Sequence, residues 1–217
     1  MLGGKQVRVL HFPGRMEAEQ GGKNSMEYAD VAPIMGRLWS PLAAVTSHWQ
    51  GRDNVQIAVA IAAASIVPEH PRVVVQLYKT NLSHDMVLSS GAFALNFLRP
   101  DQLDLIGDFG LVSGRERDKL AGVGTKAGSS GSHLLTDCFG YLDCRVINAM
   151  DGGDMTCFLA DVLDGKTLAQ GDPLWWRDAR RELPREWLDR WEAKQSSEIT
   201  TSRATMGKIS HTPWQPK

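Results

Sequence analysis

One short stretch of the chain concentrates side chains that can hold an anion. It runs Lys79-Thr80-Asn81-Leu82-Ser83-His84, after an apolar segment and at the start of a predicted helix over Ser83–Ser90. The first turn of a helix offers backbone N–H groups without intrahelical partners, at the positive end of the helix dipole. Donors from Lys79, Asn81, Ser83 and His84 around such a turn would suit a phosphate group. Simple capping of the helix by Asn81 or Ser83 is the alternative, and on these residues alone it is the more frequent explanation.

A second candidate site is a polar residue followed by a run of small ones. Asn54 precedes this run, which includes Ala62, Ala63, Ala64 and Ser65. Small side chains on a strand let a flat ligand approach the backbone closely. A tightly packed barrel interior would use the same residues, and on these residues alone it is the more frequent explanation.

Other motifs for catalysis or cofactor binding are weak or missing. The segment Gly122–Ala127 fits the G-x-G-x-x-A pattern of dinucleotide-binding proteins, but it neither follows a buried strand nor opens a helix. The sequence has no nucleophile elbow and no P-loop. Its six histidines are scattered without metal-ligand spacing, so we expect no metal site.

Composition excludes several classes of function. The chain has 217 residues and a formal net charge of −1 without a basic stripe, which argues against binding to nucleic acid. Residues 1–22 resemble neither a signal peptide nor a membrane anchor, and no apolar run is long enough to span a bilayer. Cys138, Cys144 and Cys157 lack C-x-x-C spacing. We therefore expect reduced thiols in a cytoplasmic protein that contacts no membrane.

The order of the predicted elements favours a mainly β fold. Strand follows strand with turn chemistry between them, which is typical of an antiparallel barrel and not of a doubly wound parallel sheet. The predicted strands are Val7–Phe12, Leu42–Ser47, Val55–Ala62, Arg72–Leu77, Ala92–Phe97, Gly140–Ala149 and Met155–Leu163.

Helices and loops complete the predicted architecture. Besides Ser83–Ser90, helices are expected at Pro100–Phe109 and Pro184–Lys194, and residues 110–132 form a long Gly- and Ser-rich loop. Leu183, Trp187 and Trp191 recur on one face of the last helix, a pattern typical of a packing surface. We predict an N-terminal arm at 1–30, a barrel domain at 31–175, and a C-terminal helix with an extended tail at 176–217.

Several of these segments, in order, resemble the flavin reductase-like family of FMN-binding split barrels. Asn54 lies where that family enters its second strand, and Ser83 stands where the family usually has Thr. Leu120 replaces the Phe of its D-K-F signal, and Met155 replaces the His of its G-D-H turn. The other similar segments are Pro41–Ser47, Ala64–Val73, Lys79–His84, Phe93–Leu98, Asp118–Leu120, Leu142–Val146, Gly153–Thr156 and Asp172–Leu174.

The resemblance implies a fold, a cofactor and an activity. It implies a six-stranded antiparallel split barrel with flanking helices and a C-terminal helical extension, in a homodimer that holds FMN, or FAD, near the subunit interface. The phosphate would lie on Lys79, Asn81, Ser83 and His84, and the isoalloxazine against Asn54 and the backbone of 62–65. The implied activity is that of an NAD(P)H-dependent flavin reductase, with His133 and Asp154 as candidates near the reductant. The reduced flavin would serve a partner oxygenase or another electron acceptor.

Two other functions stay open at this point. Because Met155 replaces the family histidine, the chain could be a flavoredoxin-like electron-transfer protein without its own NAD(P)H site. The Trp-bearing helix instead suggests a non-enzymatic barrel that binds another ligand or mediates assembly.

Overall fold

The computed structural model describes residues 26–38 and 40–215, and the chain divides into two units between residues 39 and 40. In the first unit, helix α1 spans Tyr28–Met35 and ends where the Gly36 N–H donates to the Ala32 carbonyl at 2.9 Å. The predicted strand Val7–Phe12 lies outside the described residues.

The second unit is built on one seven-stranded antiparallel sheet. Its order is β2-β1-β5-β8-β9-β4-β3, and a separate two-stranded ribbon joins β6 to β7. This architecture confirms the predicted antiparallel split barrel, although the main sheet has seven strands where six were expected. The strands are β1 (Ala43–Trp49), β2 (Arg52–Ala58), β3 (Ile61–Ala63), β4 (Arg72–Tyr78), β5 (Ala92–Phe97), β6 (Thr125–Ala127), β7 (His133–Leu135), β8 (Gly140–Asp151) and β9 (Met155–Thr167). The helices of this unit are α2 (Leu82–Ser90), α3 (Asp104–Gly110), α4 (Trp176–Glu182) and α5 (Arg185–Ser202).

The prediction of one continuous strand over Val55–Ala62 is wrong. The chain forms β2 at one edge of the sheet and β3 at the other, with only Val59 and Ala60 between them. The Val59 carbonyl accepts the Ser40 N–H at 3.2 Å, and the Ala60 carbonyl accepts the Gln76 N–H at 3.0 Å. The two edges must therefore lie close together, as they do when a sheet curls into a barrel.

Alternating side chains fill the barrel. On β4, Val73, Val75 and Leu77 are buried, whereas Arg72 and Gln76 are exposed. This period of two in burial is typical of a strand with one face toward the core. The buried residues join one core cluster that also contains the rings of Phe93 and Phe158.

Four features of the helical and loop regions differ from the prediction. Helix α3 starts at Asp104 and not at Pro100, because the Gln102 side chain accepts the Arg99 N–H at 2.9 Å and holds these residues in a turn. The predicted loop over 110–132 contains β6, which pairs with β7. Helix α4 was not predicted. In the family-like segment Asp172–Leu174 no strand forms: Leu174 hydrogen-bonds to Leu42 and Leu98, and the next residue, Trp175, makes an isolated β-bridge to Pro41.

Helix α5 carries the predicted tryptophan stripe and continues past its predicted end at Lys194 to Ser202. The Trp187 ring packs on Gly107 of α3, and the Trp191 ring packs on Gly110 and on Trp176, with ring centroids 4.8 Å apart in the last pair. The stripe therefore attaches the C-terminal extension to the barrel domain. Within the described part of the chain, no helix is both long enough and apolar enough to cross a membrane.

The close approach of α5 to α3 gives a stability prediction. In Gly107→Ala the new Cβ would lie 2.6 Å from the Trp187 ring, so the helices must separate or the ring must move. We expect the free energy of unfolding to fall by about 1–2 kcal/mol, because overpacking outweighs the gain in helix propensity. Gly207→Ala is the control, since no described atom lies within 4 Å of a Cβ there. Equal urea-unfolding midpoints for the two variants would contradict this packing.

Candidate flavin site

The turn between β4 and α2 forms the centre of the candidate site. Asn81 is the N-cap residue of α2 with extended backbone angles of φ −87° and ψ 140°, and its N–H donates to the Tyr78 carbonyl at 3.0 Å. Among the described residues, no side chain caps this helix. The simpler explanation, capping by Asn81 or Ser83, is therefore wrong. The N-terminal N–H groups of a nine-residue helix face the turn without a capping side chain.

The Ser83 hydroxyl hydrogen-bonds to Asn54 and does not cap its own helix. The Asn54 Nδ2 group donates to Ser83 Oγ at 2.8 Å, and both residues are buried. This bond joins the edge strand β2 to the first turn of α2. The structure thus brings together two residues that the sequence places 29 positions apart.

Unpaired polar atoms surround this contact. Asn54 Oδ1, Gln56 Oε1 and Thr80 Oγ1 are buried and have no hydrogen-bond partner in the described part of the protein. Gln56 lies two residues from Asn54 on β2, so both side chains point to the same face of the strand. Each unpaired buried group costs about 1–3 kcal/mol. A ligand that carries both donors and acceptors, as a flavin ring and its phosphate do, would satisfy such atoms.

His84 supports the site from inside the protein. Its Nδ1 lies 3.0 Å from Asp85 Oδ1, and its Nε2 lies 2.8 Å from the Thr156 hydroxyl. A carboxylate can only accept, so Nδ1 carries the proton and Nε2 accepts from Thr156. Burial lowers the pKa of His84, an effect that the neighbouring Asp85 only partly opposes. A neutral ring with both nitrogens occupied positions the helix but adds no positive charge to the turn.

Lys79 supplies a cation at the turn, held by Asp151. The Lys79 Nζ lies 2.5 Å from Asp151 Oδ1, and the Lys79 N–H donates to the Asp154 carbonyl at 2.9 Å. The turn between β8 and β9 thus adjoins the turn between β4 and α2. Asp154 reaches the site through its backbone, and Met155 lies opposite Tyr78 in the sheet.

Gly114 and Arg115, which the sequence analysis did not select, cover the same turn. A Cβ on Gly114 would lie 1.9 Å from Asn54 Oδ1, so the loop backbone rests directly on that amide. The Arg115 guanidinium donates to the Thr80 carbonyl at 3.2 Å and to Asp85 at 3.3 Å. The charged segment 115–119 in a Gly-rich loop was the available signal, but its place over the turn depends on the fold.

The remaining candidates lie at different distances from this centre. Ala62 and Ala63 form the exposed part of β3, and the Ser65 hydroxyl accepts the Val67 N–H at 3.1 Å. His133 is not brought to the turn. Its Nε2 lies 3.1 Å from Asp53, whose side chain points to the opposite face of β2 from Asn54. Among the described residues, no group of three or more His, Cys, Asp or Glu side chains is placed to hold a metal.

The Asp151 carboxylate makes stability depend on pH. Hydrogen bonds from Lys79 and then from the Gly153 N–H lower the pKa of Asp151 from 3.8 to about 2. A carboxylate with a lowered pKa contributes stability above pH 3.8 that is lost as the pH falls toward 2. Asp151→Asn should therefore be less stable than the wild type at neutral pH, with a difference that shrinks across this acidic range. A difference that stays constant across it would refute the ion pair.

Known proteins are similar to this chain over more than half of its length. The high molecular weight rubredoxin of Moorella thermoacetica is 33% identical over 132 residues, which cover 60% of this chain and 57% of that protein. The ferric-chelate reductase (NAD(P)H) of Archaeoglobus fulgidus is 31% identical over 136 residues, covering 62% of this chain and 79% of the relative. The chain thus spans just over half the length of the first of these relatives.

Solved structures and family membership give the same result. The flavin reductase PheA2 in its native state superposes with a TM-score of 0.58 and 25% identity, over 69% of this chain and 93% of PheA2. Residues 35–184 match the flavin reductase like domain, which covers more than half of the chain. With the split-barrel fold established, the chain belongs to the flavin reductase like domain family.

Proposed function

We propose that this protein binds FMN and works as an NAD(P)H-dependent flavin reductase. The observation that carries the proposal is the set of unpaired buried atoms of Asn54, Gln56 and Thr80 around the uncapped start of α2. The NAD(P)H in the name of the ferric-chelate reductase supports a nicotinamide as the reductant.

The charges at the turn suit the phosphate of FMN. Two cations lie at this turn: Lys79 is paired with Asp151, and Arg115 donates to the Thr80 carbonyl. With the N–H groups of Leu82 and Ser83 they would hold the phosphate, and the helix dipole adds to the attraction. FAD carries the same first phosphate and is the alternative cofactor.

The isoalloxazine would lie between the two edges of the sheet. Asn54 and Gln56 on β2 would face its polar edge, and the backbone of Ala62–Ser65 would lie along the ring. When bound, the flavin supplies the chemistry of hydride acceptance and electron transfer, and the protein supplies orientation and electrostatics. Asp154, beside Lys79, stays a candidate near the reductant, and His133 would need to act from the other face of the sheet.

Exposed apolar side chains next to this segment support a homodimer. Directly after Ser65, Ile66 is 100% exposed and Val67 is 46% exposed. Apolar side chains this open are typical of interaction surfaces. A partner oxygenase or another acceptor would then take the electrons. The three free cysteines suit a reducing compartment, and we propose the cytoplasm.

The phosphate assignment can be tested by comparing two flavins. In Lys79→Ala we expect FMN affinity to fall about 10- to 100-fold, because a charge-assisted hydrogen bond is lost, with riboflavin affinity unchanged. Lys166→Ala, on an exposed part of β9, is the control and should bind both flavins normally. Fluorescence titration measures each affinity. An equal loss for both flavins would place Lys79 away from the phosphate.

The reductase activity has its own test. Under anaerobic conditions, NADH or NADPH added to the FMN-loaded protein should bleach the visible absorbance of the flavin. The same experiment with Met155→His asks whether the family residue changes the rate. A flavin band that both nucleotides leave unchanged would favour the electron-transfer alternative.

A further inference from the structure

The C-terminal segment Arg203–Gln215, which we name the strap, returns from the end of α5 to the candidate site. It lies outside residues 35–184, the part that matches the family. After Ser202 the chain turns through hydrogen bonds at Thr205 and Lys208. The strap then crosses the turn between β8 and β9 and ends near α2.

The strap packs closely against the turn between β8 and β9. Gly153 has a φ of +95°, and a Cβ there would lie 2.8 Å from the Met206 carbonyl oxygen. Only glycine suits both this backbone conformation and this contact. The Ser210 N–H donates to Asp151 Oδ2 at 3.0 Å. Backbone shape and hydrogen bonding therefore both place the strap on this turn.

Trp214 anchors the far end of the strap. Its indole N–H donates to the Leu88 carbonyl at 3.1 Å, and its ring packs against the barrel core. Leu88 lies in the last turn of α2, where carbonyl groups have no intrahelical partner. The indole also lines a cavity of about 230 Å³ with Gly91 and Arg145. The strap thus contacts α2 at the end opposite the turn between β4 and α2.

The Asp151 carboxylate joins the strap to the turn between β4 and α2. Asp151 Oδ1 accepts from Lys79 Nζ at 2.5 Å and from the Gly153 N–H at 2.8 Å, and Oδ2 accepts from the Ser210 N–H. We propose that the strap positions Lys79 through Asp151, so that strap docking and binding of a phosphate group favour each other. The phosphate ligand in this proposal rests on the proposed function.

The coupling follows from the flexibility of lysine. A free lysine side chain loses rotamer entropy when it is fixed in one position. With Asp151 held by Ser210 and Gly153, the ammonium is already near the start of α2 before a ligand arrives. By thermodynamic reciprocity, a phosphate on Lys79 must stabilise the docked strap to the same degree. Asp151 and Ser210 are thus positioning residues, not catalytic ones.

A pair of variants at Ser210 tests the coupling. Ser210→Pro removes the N–H donor, whereas Ser210→Ala keeps it and serves as the control. We expect Ser210→Pro to weaken FMN binding about five- to tenfold and to leave riboflavin binding unchanged. Trp214→Phe, which keeps an aromatic side chain but removes the indole N–H and part of the ring, should change FMN binding in the same direction. Wild-type FMN affinity in Ser210→Pro, or an equal loss for both flavins, would overturn the proposal.

Hydrogen exchange separates this proposal from the proposed function. FMN should slow exchange of the Ser210 amide in the wild type but not in Lys79→Ala. If the wild type binds no flavin, the proposed function fails, and inorganic phosphate replaces FMN as the probe. Slower exchange with phosphate in the wild type alone would still support the coupling. Exchange that neither FMN nor phosphate changes would refute it.

Discussion

The chain passes from one edge of the sheet to the other in two residues, Val59 and Ala60. This short link forces the sheet to curl, because β2 and β3 could not otherwise stand at opposite ends of the strand order. The curl places an edge strand that carries Asn54 beside the start of α2, and a second edge with small side chains beside the first. Barrel closure therefore brings the polar groups of β2 and the exposed residues of β3 to neighbouring edges of the sheet.

The polar groups at these edges are not arranged for maximal stability. Asn54 satisfies only its amide nitrogen, through Ser83, and the loop at Gly114 covers its oxygen. Proteins normally pair almost all such buried atoms. Several unpaired atoms close together are therefore hydrogen-bonding groups that the protein itself does not use. His84 illustrates the opposite case, because both nitrogens of its ring have partners inside the protein.

The sequence predicted the parts of the fold that have a local cause. Strand β4 was visible because it is a short run rich in β-branched residues, Val73–Val75, and β5 was predicted at its observed bounds of Ala92–Phe97. The break after Ala58 was hidden, because the run of small apolar residues continues unbroken through it. The sequence also could not predict the hydrogen bond between Ser83 and Asn54, because Asn54 is distant in the sequence. Helix capping also accounts for a serine at position 83. Arg115 reaches the turn only because a loop folds back over β2.

Helix α2 is held at both ends by different parts of the chain. At its start, Ser83 is bonded to β2 and the N–H groups face the turn that Lys79 and Arg115 approach. At its end, the Leu88 carbonyl accepts from Trp214 of the strap. The same strap binds Asp151, which holds Lys79, so one C-terminal segment acts on both ends of the helix. Because this segment lies outside the part shared with the family, its sequence can change the strength of ligand binding while the barrel and the site residues stay the same.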